Sequence, residues 1–294
     1  MPQAEKPRER SGYRPEETLQ VESACLTVAV TLGALMDDLC IVGGLVPSLI
    51  IDRELNHQEG NDETHPGTND LDVGIAVALL DDGQYTEISH RLRQEGFEPD
   101  TNDSGNPTLQ RWKWRDLNVT VDFLLSPVEG AEVGGRVLAL EGDFGVLIAP
   151  GLELAFHERE QVNIEGHTLK GERATRTVPV CGPGAFVVLK AFAFGDRGEP
   201  KDAFDLVYVI RRWPSGAEAI ADRLAQHVER HPDVVVEALS ILVRDFGSPD
   251  LIGPLRVAEF EGATDDRDEV AADAHGYVDD LIRVCGHKGL LGGN

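Results

Sequence analysis

Asp70 and Asp72 stand one residue apart in the stretch Gly67-Thr68-Asn69-Asp70-Leu71-Asp72-Val73. Leu71, Val73, Ile75, Val77 and Leu79 alternate with Asp72, Gly74, Ala76 and Ala78, which predicts a strand over residues 71–79. Strand side chains alternate faces, so the two aspartates point the same way over small residues, and the branched aliphatic face is core. Parallel carboxylates suit a hard divalent cation, Mg2+ above all. On the strand alone, an edge strand with two solvated aspartates is the alternative. Three features elsewhere favour chemistry: a Gly43-Gly44 turn before the pair, a third aspartate, Asp122, on another predicted strand, and a Lys/Arg/Asp cluster from Lys190 to Asp205.

The elements that must position these residues are legible as patterns. Val28, Leu32, Leu35 and Leu39 recur at helical spacing and predict a helix over 22–39. A short strand at 40–42 ends at Gly43-Gly44, and 45–51 reads as a short helix. Glycines at such a turn let a phosphate approach backbone amides, or simply make the turn tight. Residues 52–66 form a polar loop in which His57 and His65 read as solvated rather than as ligands. A helix at 84–95 buries Ile88 and Leu92 and is capped by Gly96.

Residues 108–115 and 118–125 read as a hairpin around Asp116-Leu117. Val119, Val121, Phe123 and Leu125 share one face, so Asp122 takes the other. If this strand shares a core with 71–79, all three aspartates lie on one side. Arg111, Lys113 and Arg115 alternate with Trp112 and Trp114. That interleaving suits a polyanion such as RNA, with the indoles packed beneath or stacking bases. Equally, the charges would protect an edge strand from aggregation.

Residues 127–150 read as a Gly-rich loop with one short strand, and 152–156, 161–165 and 177–180 as short strands. Gly182-Pro183-Gly184 marks a boundary. Helices follow at 185–194, 201–212, 217–230, 234–246 and 269–284. Lys201, Asp205, Tyr208 and Arg212 share one helix face. Lys190 lies among apolar neighbours, a costly place for an unpaired lysine, so an ion pair with Asp202 or Asp205 is the alternative to a ligand role.

The chain has 294 residues, 41% of them apolar, which suffices for a core. Its net charge of −25 argues against a nonspecific nucleic-acid coat. The four cysteines are far apart and suggest neither a zinc site nor a disulfide framework. No signal peptide and no apolar run of membrane-spanning length is expected, so the reading is a cytoplasmic protein without a membrane partner. The expected organisation is a loose tail over 1–17, a catalytic domain over 18–181 and a helical domain over 182–294.

Taken in order, Gly43-Gly44, Thr68-x-Asp70-x-Asp72 and Asp122, then Lys190-Ala191-Phe192-Ala193, Arg197 and Lys201-Asp202-x-x-Asp205-Leu206, resemble the polymerase-β-like nucleotidyltransferase superfamily. Within it they resemble the AbiEii type of nucleotidyltransferase toxin, from type IV toxin–antitoxin pairs, the group that includes the mycobacterial MenT toxins. The resemblance covers residues 41–209, and the stretch between Gly44 and Thr68 is longer than the family pattern, so Arg53 is given no role. It implies an α+β fold, a mixed sheet with flanking helices and a mainly helical C-terminal region. It also implies Mg2+, two ions, and an NTP that donates its nucleoside monophosphate. The acceptor it implies is the tRNA 3′ end, whose modification stops translation. A cognate antitoxin is the implied protein partner, and DNA is not.

In that scheme Asp70, Asp72 and Asp122 are catalytic and hold the metal. Gly43, Gly44, Thr68, Lys190, Arg197 and Lys201 bind the nucleotide. Asp205 is the further catalytic carboxylate, with Asp202 next in line. Arg111, Lys113 and Arg115 are the RNA-binding candidates. The competing functions are adenylylation of a small molecule of aminoglycoside type, which the acidic charge suits, adenylylation of a protein, and a non-catalytic nucleotide-binding module.

Overall fold

The structure is a computed structural model and describes residues 7–51, 64–79, 84–102, 104–115, 117 and 119–291. His57 and Arg53 lie outside the described residues. Strands β1 (Leu39–Val42), β2 (Asp70–Ile75), β3 (Phe97–Thr101), β4 (Pro107–Trp114), β5 (Thr120–Leu125), β6 (Val137–Glu141), β7 (Phe144–Ile148), β8 (Arg159–His167) and β9 (Arg173–Cys181) form one mixed sheet. Its order is β3-β4-β5-β2-β1-β9-β8, with β7 also pairing β5, and β6 pairing β7. The chain is therefore α+β with parallel and antiparallel strand pairs.

Two compact units are present. The first comprises Arg14–Val46 and Gly67–Cys181. Its helices are α1 (Pro15–Leu32), α3 (Tyr85–Glu95) and α4 (Leu152–His157), and α2 (Val46–Ile50) starts at its boundary. Leu71, Val73 and Ile75 of β2 are buried together with Val121, Phe123 and Leu125 of β5, as the alternation requires. Phe144 fills the same core, with ring centroids 5.2 Å from Phe123 and 5.7 Å from Trp112.

Several elements differ from the sequence expectation. Within Pro15–Asp38 an 18-residue window reaches mean hydropathy 1.6, long and apolar enough by composition to cross a membrane where no such run was expected, and half of that window is buried inside the fold. In the fold, α1 packs on β8, β9 and α3 and buries Val21, Cys25, Val28 and Leu32. It starts at Pro15, inside the stretch 1–17 expected as a loose tail. Residues 152–156 are a helix rather than a strand: Leu152 and Ala155 are buried, and Leu152 packs over Gly74. The room left by small residues beside Asp72 thus holds α4. A short apolar run cannot distinguish a buried helix from a strand. The Gly-rich region forms two strands, β6 and β7, and β3 was not anticipated because its Glu98-Pro99-Asp100 has no apolar alternation.

The second unit comprises Pro7–Tyr13, Pro47–Pro66 and Gly182–Asn294. Its helices are α5 (Pro183–Arg197), α6 (Pro200–Arg212), α7 (Gly216–Val228), α8 (Pro232–Phe246), α9 (Ile252–Glu261) and α10 (Arg267–His287). Prolines at the start of α5, α6 and α8 suit the first turn, where the missing N–H costs nothing. Helix α9 was not expected, since its apolar stripe is weak. It is held by Phe260, which stacks 4.7 Å from Phe204, and by Glu261, which accepts from Arg10 at 3.0 Å.

Candidate functional site

Strands β2 and β5 run parallel, with Asp72 beside Asp122 and Asp70 beside Thr120. Register neighbours share a face, so the pairing brings Asp70, Asp72 and Asp122 together. One ligand oxygen from each lies within 4.8 Å of the others. Asp70 and Asp122 are buried, at 6% and 8% exposure, and Asp72 is half-buried. Thr68 Oγ1 donates to Asp70 Oδ1 at 3.0 Å, so its observed role is to orient a carboxylate.

Gly43 follows β1, whose Val42 pairs with Asp72. Its φ is +71°, and a Cβ there would sit 1.9 Å from Asp72 Oδ2. Only glycine lets the backbone pass this close to the carboxylate. Gly44 is buried in the same 3-10 turn, Gly43–Leu45.

Arg111 was expected to meet RNA phosphate. Instead its register partner is Asp122. Nε and Nη2 donate to the two oxygens of Asp122 at 2.7 and 2.5 Å, and Nη2 lies 3.7 Å from Asp70 Oδ2. The hydrogen bonds that it donates to Asp122, then the charges of Asp122, Asp70 and Asp72, raise the guanidinium pKa further. Counting outward from the turn expected at Asp116-Leu117 puts Arg111 opposite Asp122, so the signal was in the sequence. Three carboxylates so close together are the donor set of a divalent cation, and among the described residues Arg111 is the guanidinium that faces them.

Lys113 lies 3.5 Å from Asp100 and Arg115 lies 3.6 Å from Glu98, both across the β3–β4 pair. Trp112 and Trp114 are buried beneath, against Phe144 and Phe97. The indoles therefore pack under the strand and are not presented for base stacking.

The remaining predicted residues lie in the second unit. Asp205 is 0% exposed and accepts from Lys190 Nζ at 2.6 Å, Lys201 Nζ at 2.7 Å and His65 Nε2 at 2.8 Å. Asp202 accepts from Lys190 Nζ at 3.0 Å and from Arg197 Nε at 2.6 Å. Lys190, Lys201, Asp202 and Asp205 thus form one largely buried network, which the exposed Arg197 joins through Asp202, and the ion pairs named as the structural alternative for Lys190 are present. Burial opposes ionisation of Asp205, but Lys190, Lys201 and His65 outweigh it and hold the carboxyl well below its usual range. A carboxylate so held is a weak proton acceptor. Lys190 is raised because Asp205 and Asp202 outweigh its burial, whereas burial and the charge of Lys190 lower Lys201.

His65 was read as a solvated loop residue. It is buried, with its ring 5.0 Å from that of Tyr208. Burial, then the charge of Lys201, lowers its pKa from 6.5 to about 4 despite Asp205. It is neutral at pH 7, and with Asp205 ionised the proton sits on Nε2. Nothing local marks this role, since the partner is 140 residues away.

A pH dependence follows. The unfolded chain takes up the His65 proton below about pH 6.5, while the folded chain resists until about pH 4. Stability is full above the upper value and falls as pH drops through this window, by up to about 3 kcal/mol. Melting temperature measured from pH 7.5 to 4 is expected to fall across it. In His65→Gln, which keeps an N–H toward Asp205 and does not titrate, the fall should be shallower. An equal fall in both proteins would remove His65 from the account.

Comparison of the chain with protein-family models and with curated proteins gives no match.

Proposed function

We propose that this chain is a Mg2+-dependent nucleotidyltransferase of polymerase-β-like fold, moving a nucleoside monophosphate from an NTP to a hydroxyl of RNA. The observation that carries the reading is the three-carboxylate cluster on adjacent strands, one ligand oxygen of each within 4.8 Å of the others. Hard oxygen donors at this spacing fit Mg2+, and Asp70, Asp72 and Asp122 would hold it. Bound there, Mg2+ supplies neutralisation of phosphate charge and a lowered pKa for the acceptor hydroxyl. Thr68 fixes the Asp70 oxygen, and Gly43 keeps the backbone against Asp72 with no side chain between. Amides of the Gly43–Leu45 turn would receive phosphate oxygens. By resemblance to AbiEii and MenT toxins, the acceptor is the tRNA 3′ end, the outcome is arrested translation, and a cognate antitoxin holds the chain in check.

The test incubates the protein with each labelled NTP, Mg2+ and total RNA, with and without EDTA. Label in the tRNA band, lost with EDTA, is the expected result; no labelled product from any acceptor overturns the enzyme reading. A second reading, adenylylation of a small cationic acceptor, is favoured by the pairing of Arg111, Lys113 and Arg115 with carboxylates in a chain of net charge −25. Label on an aminoglycoside and none on RNA would select it.

A further inference from the structure

We infer that Arg111 is a tethered counter-ion: its guanidinium must leave the carboxylates for a divalent cation to enter, and the triphosphate of the nucleotide then receives it. The inference rests on the metal-centre reading above. Register fixes the backbone of Arg111 opposite Asp122, so the head group is always within reach of the cluster. It engages both oxygens of Asp122 and lies beside Asp70, so it stands between ligands contributed by two strands. A dication placed among the same oxygens meets a unit positive charge a few ångströms away in a largely buried site, where repulsion is poorly screened. The two cations therefore compete.

The side chain has somewhere to go. It is 21% exposed, and a long flexible stem lets the planar head swing while the backbone stays paired. A guanidinium finds in a polyphosphate the same forked acceptor that it leaves in a carboxylate. Lys113 and Arg115, further along the same hairpin, face Asp100 and Glu98 instead. Arg111 thus couples the two ligands: metal alone is opposed by it, and metal with nucleotide is helped by it.

The two effects have opposite signs, which a merely structural arginine would not produce. Binding of Mn2+ alone to the full chain is measured by the EPR signal of the free ion. Binding of labelled ATP, GTP, CTP and UTP is measured with Mg2+ present. Wild type is compared with Arg111→Gln, Arg111→Met and Asp72→Asn. In both Arg111 variants Mn2+ is expected to bind roughly tenfold or more tightly than in wild type, and the preferred nucleotide with Mg2+ roughly tenfold or more weakly. Arg111→Gln retains an N–H toward Asp122 and serves if Arg111→Met does not fold. The folding of both is followed by thermal melting, in which Mn2+ should raise the midpoint more than in wild type. Unchanged Mn2+ affinity, or tighter Mn2+ with unchanged nucleotide binding, overturns the inference. If wild type binds Mn2+ and Asp72→Asn does not, that overturning leaves the metal centre standing. If no protein binds Mn2+ under any condition, both fall together.

Discussion

Asp72→Asn is expected to lower nucleotidyl transfer by roughly a thousandfold or more while the protein remains folded. Asp72 lies beside Asp122 in register and is the most accessible of the three carboxylates. The amide keeps the volume and removes one of the charges that a divalent cation needs. Without metal the three carboxylates, with ligand oxygens within 4.8 Å of one another, repel. Asp72→Asn should therefore melt no lower than wild type in EDTA, and rather higher. Asp70→Ala should be as inactive, and it also strips Thr68 of the carboxylate it orients. Label transfer and melting curves on the same preparations check both. A folded Asp72→Asn protein with wild-type transfer, or transfer undiminished by EDTA, would sink the metal-dependent reading.

The largest stability effect is expected at Asp205. Its carboxylate is wholly buried and meets Lys190, Lys201 and His65 at once. Asp205→Ala leaves two buried ammonium groups short of an acceptor, and breaking a buried ion pair from one side costs about 3–5 kcal/mol. For a unit of this size the melting temperature should fall by about 10 °C or more. Asp205→Asn, which keeps an acceptor oxygen but not the charge, should lose less. This pair of variants also separates the two roles of the residue. If Asp205 only organises the network, the folded Asp205→Asn protein retains its turnover. If it serves as a base, turnover collapses while melting is little changed, and the structural assignment fails.

The sequence by itself determined what local periodicity can carry. Alternation around Asp70 and Asp72, and again around Asp122, set the carboxylates opposite an aliphatic face, because a strand has a period of two. Apolar spacing after Gly182 marked most helices of the second unit, because helices bury one stripe. The tertiary structure decided what depends on distant partners. Parallel pairing of β2 with β5 set Asp72 beside Asp122 across 50 residues of chain. Hairpin register sent Arg111 into the carboxylates rather than outward to solvent. Contact with Asp205 turned His65 from a loop histidine into a buried neutral donor. Residues 152–156 became a helix because the space over Gly74 accepts Leu152 from a helical turn. Each of these outcomes is a difference in packing and charge energy between segments far apart in the chain, and no short window of residues contains both sides of that difference.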